Sequence, residues 1–313
     1  MEGNNEVNYL NEKPGLHVWW RLLRPHTLTA SFVPVSIGTL LAVLDGTFHL
    51  LLFLAMLLAS MMIQAATNMF NEYYDYKRGL DNEKSVGIGG TIVRDGVKPV
   101  VVKRLAYLFY AIPVLLGIYI CLETSWWIAI IGLICMIIGY LYTGGPVPIA
   151  YSPFGELFSG LMMGTVIIGI SYYIQTLTLN WEVIMISIPV AIFIGCILLS
   201  NNIRDLDGDK ENGRRTLAIL LGRQKAIIFL SILMLVAYSL TAGYIITGLL
   251  PIYSVISLLS ALSARKAVMT FLANTTNVGM MPAMAATAKT NTIYGLLIGI
   301  SLLLQYLFPI HLV

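Results

Sequence analysis

Charge is what this chain has least of. Only 11% of its 313 residues are Asp, Glu, Lys or Arg, where a soluble domain carries roughly 25%. Hydrophobic residues make up 58% and the mean hydropathy is +0.80. The deficit runs along nearly the whole length, which argues against a large soluble core and for a polytopic membrane protein. Cysteine is scarce as well. Cys121, Cys135 and Cys196 stand singly in apolar runs without metal-ligand spacing, so no disulfide framework is expected. They read as small buried hydrophobes. No Ser/His/Asp or Cys/His constellation suggests a covalent enzyme nucleophile. The polar opening MEGNNEVNYLNEK gives no cleavable signal peptide as an expectation.

What is present is a series of apolar runs, near residues 27–45, 48–74, 100–122, 126–143, 154–177, 182–202, 224–248, 251–271 and 291–309. A span needs about 20 helical residues, so the expected fold is an all-α polytopic membrane protein with about nine transmembrane helices. Residues 1–23 are expected to be a cytosolic N-terminal segment and residues 24–313 a single transmembrane domain. The connections near 45–48, 123–125, 178–181 and 248–251 are short and hold no Lys or Arg, whereas those after the second and sixth runs are long and basic. A cytosolic N-terminus puts all 19 basic residues on the cytosolic side or at helix ends facing it. The second and sixth runs both end in asparagines followed by aspartates, then a basic, Gly-containing segment. That echo allows a four-helix pseudo-repeat with the ninth helix appended.

The two acidic segments are NMFNEYYDYKRGLD, residues 68–81, and SNNIRDLDGDKENGRRTLAILLG, residues 200–222. Helical spacing puts Asn68, Asn71, Glu72 and Asp75 on one face, with Gly79 expected to break the helix and let Asp81 fold back. Asn201, Asp205 and Asp209 share a face in the same way, while Asp207 points elsewhere. Carboxylates gathered at a membrane edge are costly unless a cation neutralises them. Oxygen ligands without His or Cys suit Mg²⁺, which takes one or two carboxylates and completes its shell with water and phosphate oxygens. The candidate metal ligands are therefore Asn68, Asn71, Glu72, Asp75, Asp81, Asp205 and Asp209. Lys77, Arg78, Lys84, Arg94, Arg204, Lys210 and Arg215 are candidate phosphate ligands. Helix capping is the plain alternative for either cluster alone. Lys77, Arg78, Arg214 and Arg215 serve equally as positive-inside anchors.

Three further segments carry residues of interest. RPHTLTASFVPVSIGTLLA, residues 24–42, sets Arg24 to meet an anion ahead of Pro25, with His26 as an acid or base or simply a solvated side chain. YLYTGGPVPIAYSPFGELFSG, residues 140–160, is a cytosolic loop without Lys or Arg. It is either a tight re-entrant turn or a pocket wall offering Tyr142, Tyr151 and Glu156. GIGG, residues 87–90, is weak as a phosphate cradle, since no strand–helix context surrounds it.

Paired motifs of the form N-x-x-x-D and D-x-x-x-D on the second and sixth of nine helices resemble the UbiA superfamily of intramembrane prenyltransferases. Within it, the segments starting at Arg24, Asn68, Tyr142 and Asn201 are most similar to the 1,4-dihydroxy-2-naphthoate polyprenyltransferase branch of menaquinone biosynthesis. The resemblance spans residues 24 to about 300. It departs where that family often reads N-D-x-x-D-x-x-x-D, because here Glu72 and Gly79 stand at two of the acidic positions. The resemblance implies a Mg²⁺-dependent transferase of the cell membrane, with its loops and N-terminus facing the cytosol. It also implies a polyprenyl diphosphate donor in the bilayer, an aromatic acceptor and no nucleic-acid partner. Asp75, Asp205, Asp209 and Tyr142 would be catalytic. Arg24, Lys84, Arg94, Asn201, Arg204 and Lys210 would bind substrate. Tyr142 or the Tyr73/Tyr74 pair would face an allylic cation, and loss of CO₂ from the naphthoate would give a demethylmenaquinone. A sister enzyme using 4-hydroxybenzoate, haem or a glycerol phosphate, and more remotely a divalent-cation transporter, remain alternatives.

Overall fold

The computed structural model describes residues 15–80 and 90–310, the side chain of His26 excepted. Among the described residues every regular element is a helix. Helix α1 (Leu16–Leu23) stops at Arg24, whose φ of 49° puts it in the left-handed region. Arg24 is also the residue before α2 (Pro25–Leu44), whose first position suits Pro25 because that N–H has no helical partner. Val18 and Leu22 of α1 are buried in one cluster with Met69 and Phe70 of α3 (Leu50–Lys77). Residues 16–23 thus pack on the end of α3.

Helix α3 has 28 residues, about 42 Å at 1.5 Å per residue. The hydrocarbon core is about 30 Å thick, so the end bearing Asn71 and Asp75 stands at or beyond its edge. Gly79 follows with φ of 75°, a conformation glycine adopts freely, and closes the helix. Then come α4 (Thr91–Arg94), α5 (Pro99–Glu123), α6 (Trp127–Thr143) and α7 (Gly155–Thr176), with a π-helical turn at Leu161–Val166. The rest comprises α8 (Trp181–Arg204), α9 (Leu206–Glu211), α10 (Leu217–Leu221), α11 (Arg223–Ile246), α12 (Ile252–Ala273) and α13 (Asn277–Leu307).

Eight of these helices are long and apolar enough to cross a membrane: α2, α3, α5, α7, α8, α11, α12 and α13. The chain is an all-α, multi-pass membrane protein. Two sequence expectations are met only in part. The run at 126–143 forms a helix of only 17 residues, about 26 Å long, short of a full span. The last helix begins at Asn277 rather than 291. Its polar first half is satisfied internally, with Thr287 and Thr290 donating to Ala283 and Ala286 carbonyls at 3.0 and 2.8 Å. Lys289 consequently lies inside a helix rather than in a loop or at an end. A lysine stem can carry its ammonium toward the interface from there. The helices show no clear four-helix repeat.

Helices α2, α3, α5, α6, α7 and α8 surround a cavity; outside them α11 packs against α8, α13 against α2 and α8, and α12 against α11 and α13. Helix α7 lies close on α8 because Gly160 and Gly164 lack side chains. A Cβ on either would come 2.4 Å from the Ala191 carbonyl oxygen or 2.5 Å from its Cα. Backbones approach in this way where small residues face each other. Leu51, Leu58, Leu115 and Leu235 face outward, as lipid contact requires. Trp126, Trp127 and Trp181 are exposed where α6 and α8 begin, the aromatic pattern of a membrane interface.

Candidate active site

The cavity encloses about 480 Å³. Arg24, Asn68, Asn71, Tyr142 and Asn201 line one end, and Met56, Ile118, Ile120 and Ile128 the other. From Asn71 to Met56 along α3 is about 22 Å by helical rise. The result is a long apolar bore with a polar mouth.

At the mouth the two acidic segments meet through one guanidinium. Arg214 Nη2 lies 3.0 Å from Asp75 Oδ1, and its Nη1 lies 3.0 Å from Asp209 Oδ1. Asp75 sits at the end of α3 because the helix runs on past the apolar core. Asp209 sits on α9, where the chain has turned at Asp205. Arg214 follows Gly213, whose φ of 76° bends the backbone back so that the Arg214 N–H reaches the Asp209 carbonyl at 3.0 Å. Burial pushes the Asp209 carboxyl up to about 6, with Arg214 opposing and Asp205 and Asp75 adding to the rise. Burial alone would lower the pKa of Arg214, but Asp75 and Asp209 outweigh it and hold the guanidinium above its ordinary value.

Tyr151 organises the same mouth. Its ring lies under the Arg214 guanidinium at 4.9 Å and under that of Arg78 at 5.3 Å. Its carbonyl accepts from Arg215 N–H at 2.9 Å. Arg78 in turn donates to the carbonyls of Thr143 and Gly145, at 2.5 and 2.9 Å. The Gly/Pro-rich loop after α6 is therefore clasped by arginines from both acidic segments. Arg24 lines the mouth as well, and its buried Nε meets no hydrogen-bond acceptor. A left-handed arginine is an uncommon conformation, and here it turns the chain between α1 and α2 so that this side chain lines the cavity.

Other expected site residues fall differently. Asn71, Tyr142 and Asn201 line the cavity. Asn68 does too, but its amide donates to Thr27 Oγ1 at 2.8 Å and accepts from Gln64 at 3.3 Å. Glu72 points to the other side of α3, where Thr91 Oγ1 and the Ile92 N–H bind its Oε1. The shared face read from spacing therefore does not carry Glu72 to the mouth. Asp205 ends α8 and is held by its neighbour Arg204 through Nε at 2.7 Å and Nη2 at 2.5 Å. The third nitrogen of Arg204 faces the Met281 and Met284 sulfurs at 3.2 and 2.8 Å, so this arginine is turned to α13. Lys77, Arg94, Lys210 and Arg215 are exposed. Glu156 is buried and accepts from Asn202 at 2.9 Å. Tyr74 bonds Tyr140 at 2.6 Å and Tyr73 packs against it, with neither lining the cavity. Asp81 and Lys84, with the GIGG residues Gly87, Ile88 and Gly89, lie outside the described residues, as does the side chain of His26.

Arg214 is the residue that sequence reasoning left undecided between a membrane anchor and a ligand. Two adjacent arginines gave no sign of which one turns inward. Among the described residues no three His, Cys, Asp or Glu side chains converge as a metal cage. Three buried polar atoms are nevertheless left open at the mouth, the Asp209 Oδ2 acceptor and the Arg24 and Arg214 Nε donors. A buried group left unbonded is unfavourable. An acceptor and two donors so placed fit a divalent cation and an anion entering together. Asp75, Asp209, Asn71 and Asn201 could supply oxygen ligands to such a cation, a hard-ion set. Arg24 and Arg214 could meet the anion.

The UbiA prenyltransferase family matches residues 31–277. A 1,4-dihydroxy-2-naphthoate octaprenyltransferase of Bacillus subtilis (strain 168) is 54% identical over 289 residues, 92% of this chain and 93% of that one. Among solved structures, an apo UbiA homolog from Aeropyrum pernix K1 superposes with a TM-score of 0.67 at 16% identity, covering 90% of this chain and 98% of its own. A UbiA homolog from Archaeoglobus fulgidus, bound to DMAPP and Mg²⁺, gives 0.62 at 17% identity, with 90% and 98% covered. At such identities the two structures show a common fold.

Proposed function

The chain belongs to the UbiA prenyltransferase family, and from that premise we propose that it transfers a polyprenyl group from an allylic diphosphate to 1,4-dihydroxy-2-naphthoate with loss of CO₂. The observation that carries this reading is the Asp75–Arg214–Asp209 bridge at the mouth of a long apolar cavity. Strong similarity to a naphthoate octaprenyltransferase over nearly the whole chain supports the acceptor and the donor class.

Mg²⁺ held by Asp75, Asp209, Asn71 and Asn201 would offset the negative charge that grows on the leaving diphosphate. Arg24 supplies positive charge at the mouth, and Arg214 is held where it can turn from carboxylate to phosphate oxygens. Breaking the allylic C–O bond sends its electron pair to the diphosphate and leaves an allylic cation. The apolar cavity keeps water from that cation, and the Tyr142 ring stands at the same mouth as an electron-rich face. The ring carbon bearing the acceptor's carboxylate then forms the new C–C bond. Departure of CO₂ returns the pair that restores aromaticity, giving demethylmenaquinone first as its quinol.

We place the mouth and the N-terminus on the cytosolic side, because the long basic connections lie there and the exposed tryptophans at the starts of α6 and α8 lie opposite. With α6 counted as a short crossing, the chain passes nine times. Arg24→Gln is expected to raise the donor KM about tenfold, the effect of losing a charged hydrogen bond to phosphate. Steady-state kinetics at saturating acceptor would measure it.

The acceptor is tested by incubating membranes with a polyprenyl diphosphate and, separately, 1,4-dihydroxy-2-naphthoate, 4-hydroxybenzoate, haem and a glycerol phosphate. Prenylation of the naphthoate alone, with CO₂ released, is expected. Preference for another acceptor would overturn the assignment.

A further inference from the structure

Resting on the prenyltransferase reading, we propose that Gly117 on α5 and Gly132 on α6 set which prenyl tail lengths the cavity accepts. The cavity-lining residues of α5 include Pro113, Gly117 and Cys121, spaced four apart, and those of α6 include Gly132, Met136 and Gly139. Each glycine is therefore within the inward stripe of its helix. The two helices are antiparallel neighbours joined at residues 124–126. Gly117 precedes the end of α5 by about as many residues as Gly132 follows the start of α6, so they stand at one level. By helical rise Gly132 is about 15 Å from Tyr142.

Nothing in the backbone or the packing calls for glycine at either place. Both lie inside regular helices, where glycine is unfavourable relative to alanine. A Cβ at 117 or 132 would meet no atom within 4 Å. Gly139 on the same stripe is different, since its Cβ would lie 2.8 Å from Tyr110 Oη and 3.0 Å from Thr67 Oγ1. That glycine serves close packing, whereas Gly117 and Gly132 leave the bore wide. A tail reaching beyond about 15 Å from the mouth passes between them, and a shorter tail ends before them.

Gly117→Leu and Gly132→Leu would each narrow the bore, with Gly117→Ala and Gly132→Ala as milder versions. Leu115→Phe, on the lipid side of α5, is the control. Each protein is assayed with geranyl, farnesyl, geranylgeranyl and octaprenyl diphosphates. In the leucine variants the octaprenyl-to-geranyl ratio of kcat/KM is expected to fall at least about tenfold, the usual scale for a pocket that loses room for part of its substrate. Geranyl transfer should stay within about threefold of wild type, the alanine variants should fall between, and the control should not change. An unchanged ratio overturns the proposal, as does an equal decline at every length, which a packing defect would give. Should the leucine variants not fold, the ratio in the alanine variants decides by the same criterion. Failure of the underlying prenyltransferase reading would look different, because wild-type protein would then consume none of the four donors.

Discussion

Replacing Asp75 with asparagine is expected to lower prenyl transfer by about a thousandfold or more, with the protein still inserted and folded. The side chain is nearly isosteric, so the bore and the helix end keep their shape. What goes is one of the two carboxylates that Arg214 joins at the mouth. Groups that stabilise charge on a leaving group commonly contribute about 3–4 kcal/mol, and each 1.36 kcal/mol is about tenfold in rate. Loss of a carboxylate that is both cation ligand and organiser of Arg214 should exceed that of one hydrogen bond. Single-turnover kinetics with donor and naphthoate would show the defect in the chemical step. Activity near wild type in D75N would remove Asp75 from the reaction.

The second large effect concerns stability. Arg214→Gln leaves Asp75 and Asp209 facing each other without their shared cation. Breaking a buried pair by removing one partner typically costs about 3–5 kcal/mol, and here two carboxylates are abandoned at once. The loss is tempered because Asp209, already up at about 6, can take up a proton. R214Q should therefore melt well below wild type in detergent without divalent cations. Adding Mg²⁺ should recover more stability in R214Q than in wild type, since the ion then supplies the missing positive charge. A variant as stable as wild type without Mg²⁺ would mean that the bridge does not hold the two acidic segments together.

These expectations show where the sequence was informative. Period and hydropathy were enough to find the apolar helices, and the spacing of Asn71 and Asp75 put them on a helix end, since α3 is regular through both. The reading failed where a side chain had a choice of neighbours. Glu72 is one residue from Asn71, yet that step of about 100° around the helix delivers it to Thr91 and Ile92. Arg204 and Arg214 look alike as basic residues near aspartates. One is turned to two methionines of α13 and the other across to α3. Only the fold of α13 and the turn at Gly213 distinguish them. The start of the last helix was obscured because the segment before 291 is too polar to extend the apolar run, although Thr276, Thr287 and Thr290 are each bonded at their own helix.

Whether the two acidic segments form one site for a Mg²⁺–diphosphate can be measured without turnover. Wild-type protein, D75N and D209N would be melted with a non-cleavable geranylgeranyl diphosphate analogue, with Mg²⁺, and with both. Ligand binding to the folded state raises its melting temperature according to affinity. Wild type should be stabilised by the two together far more than by the sum of each alone, and either substitution should abolish that excess. Equal joint stabilisation in all three proteins would mean that the two acidic segments do not form one Mg²⁺–diphosphate site.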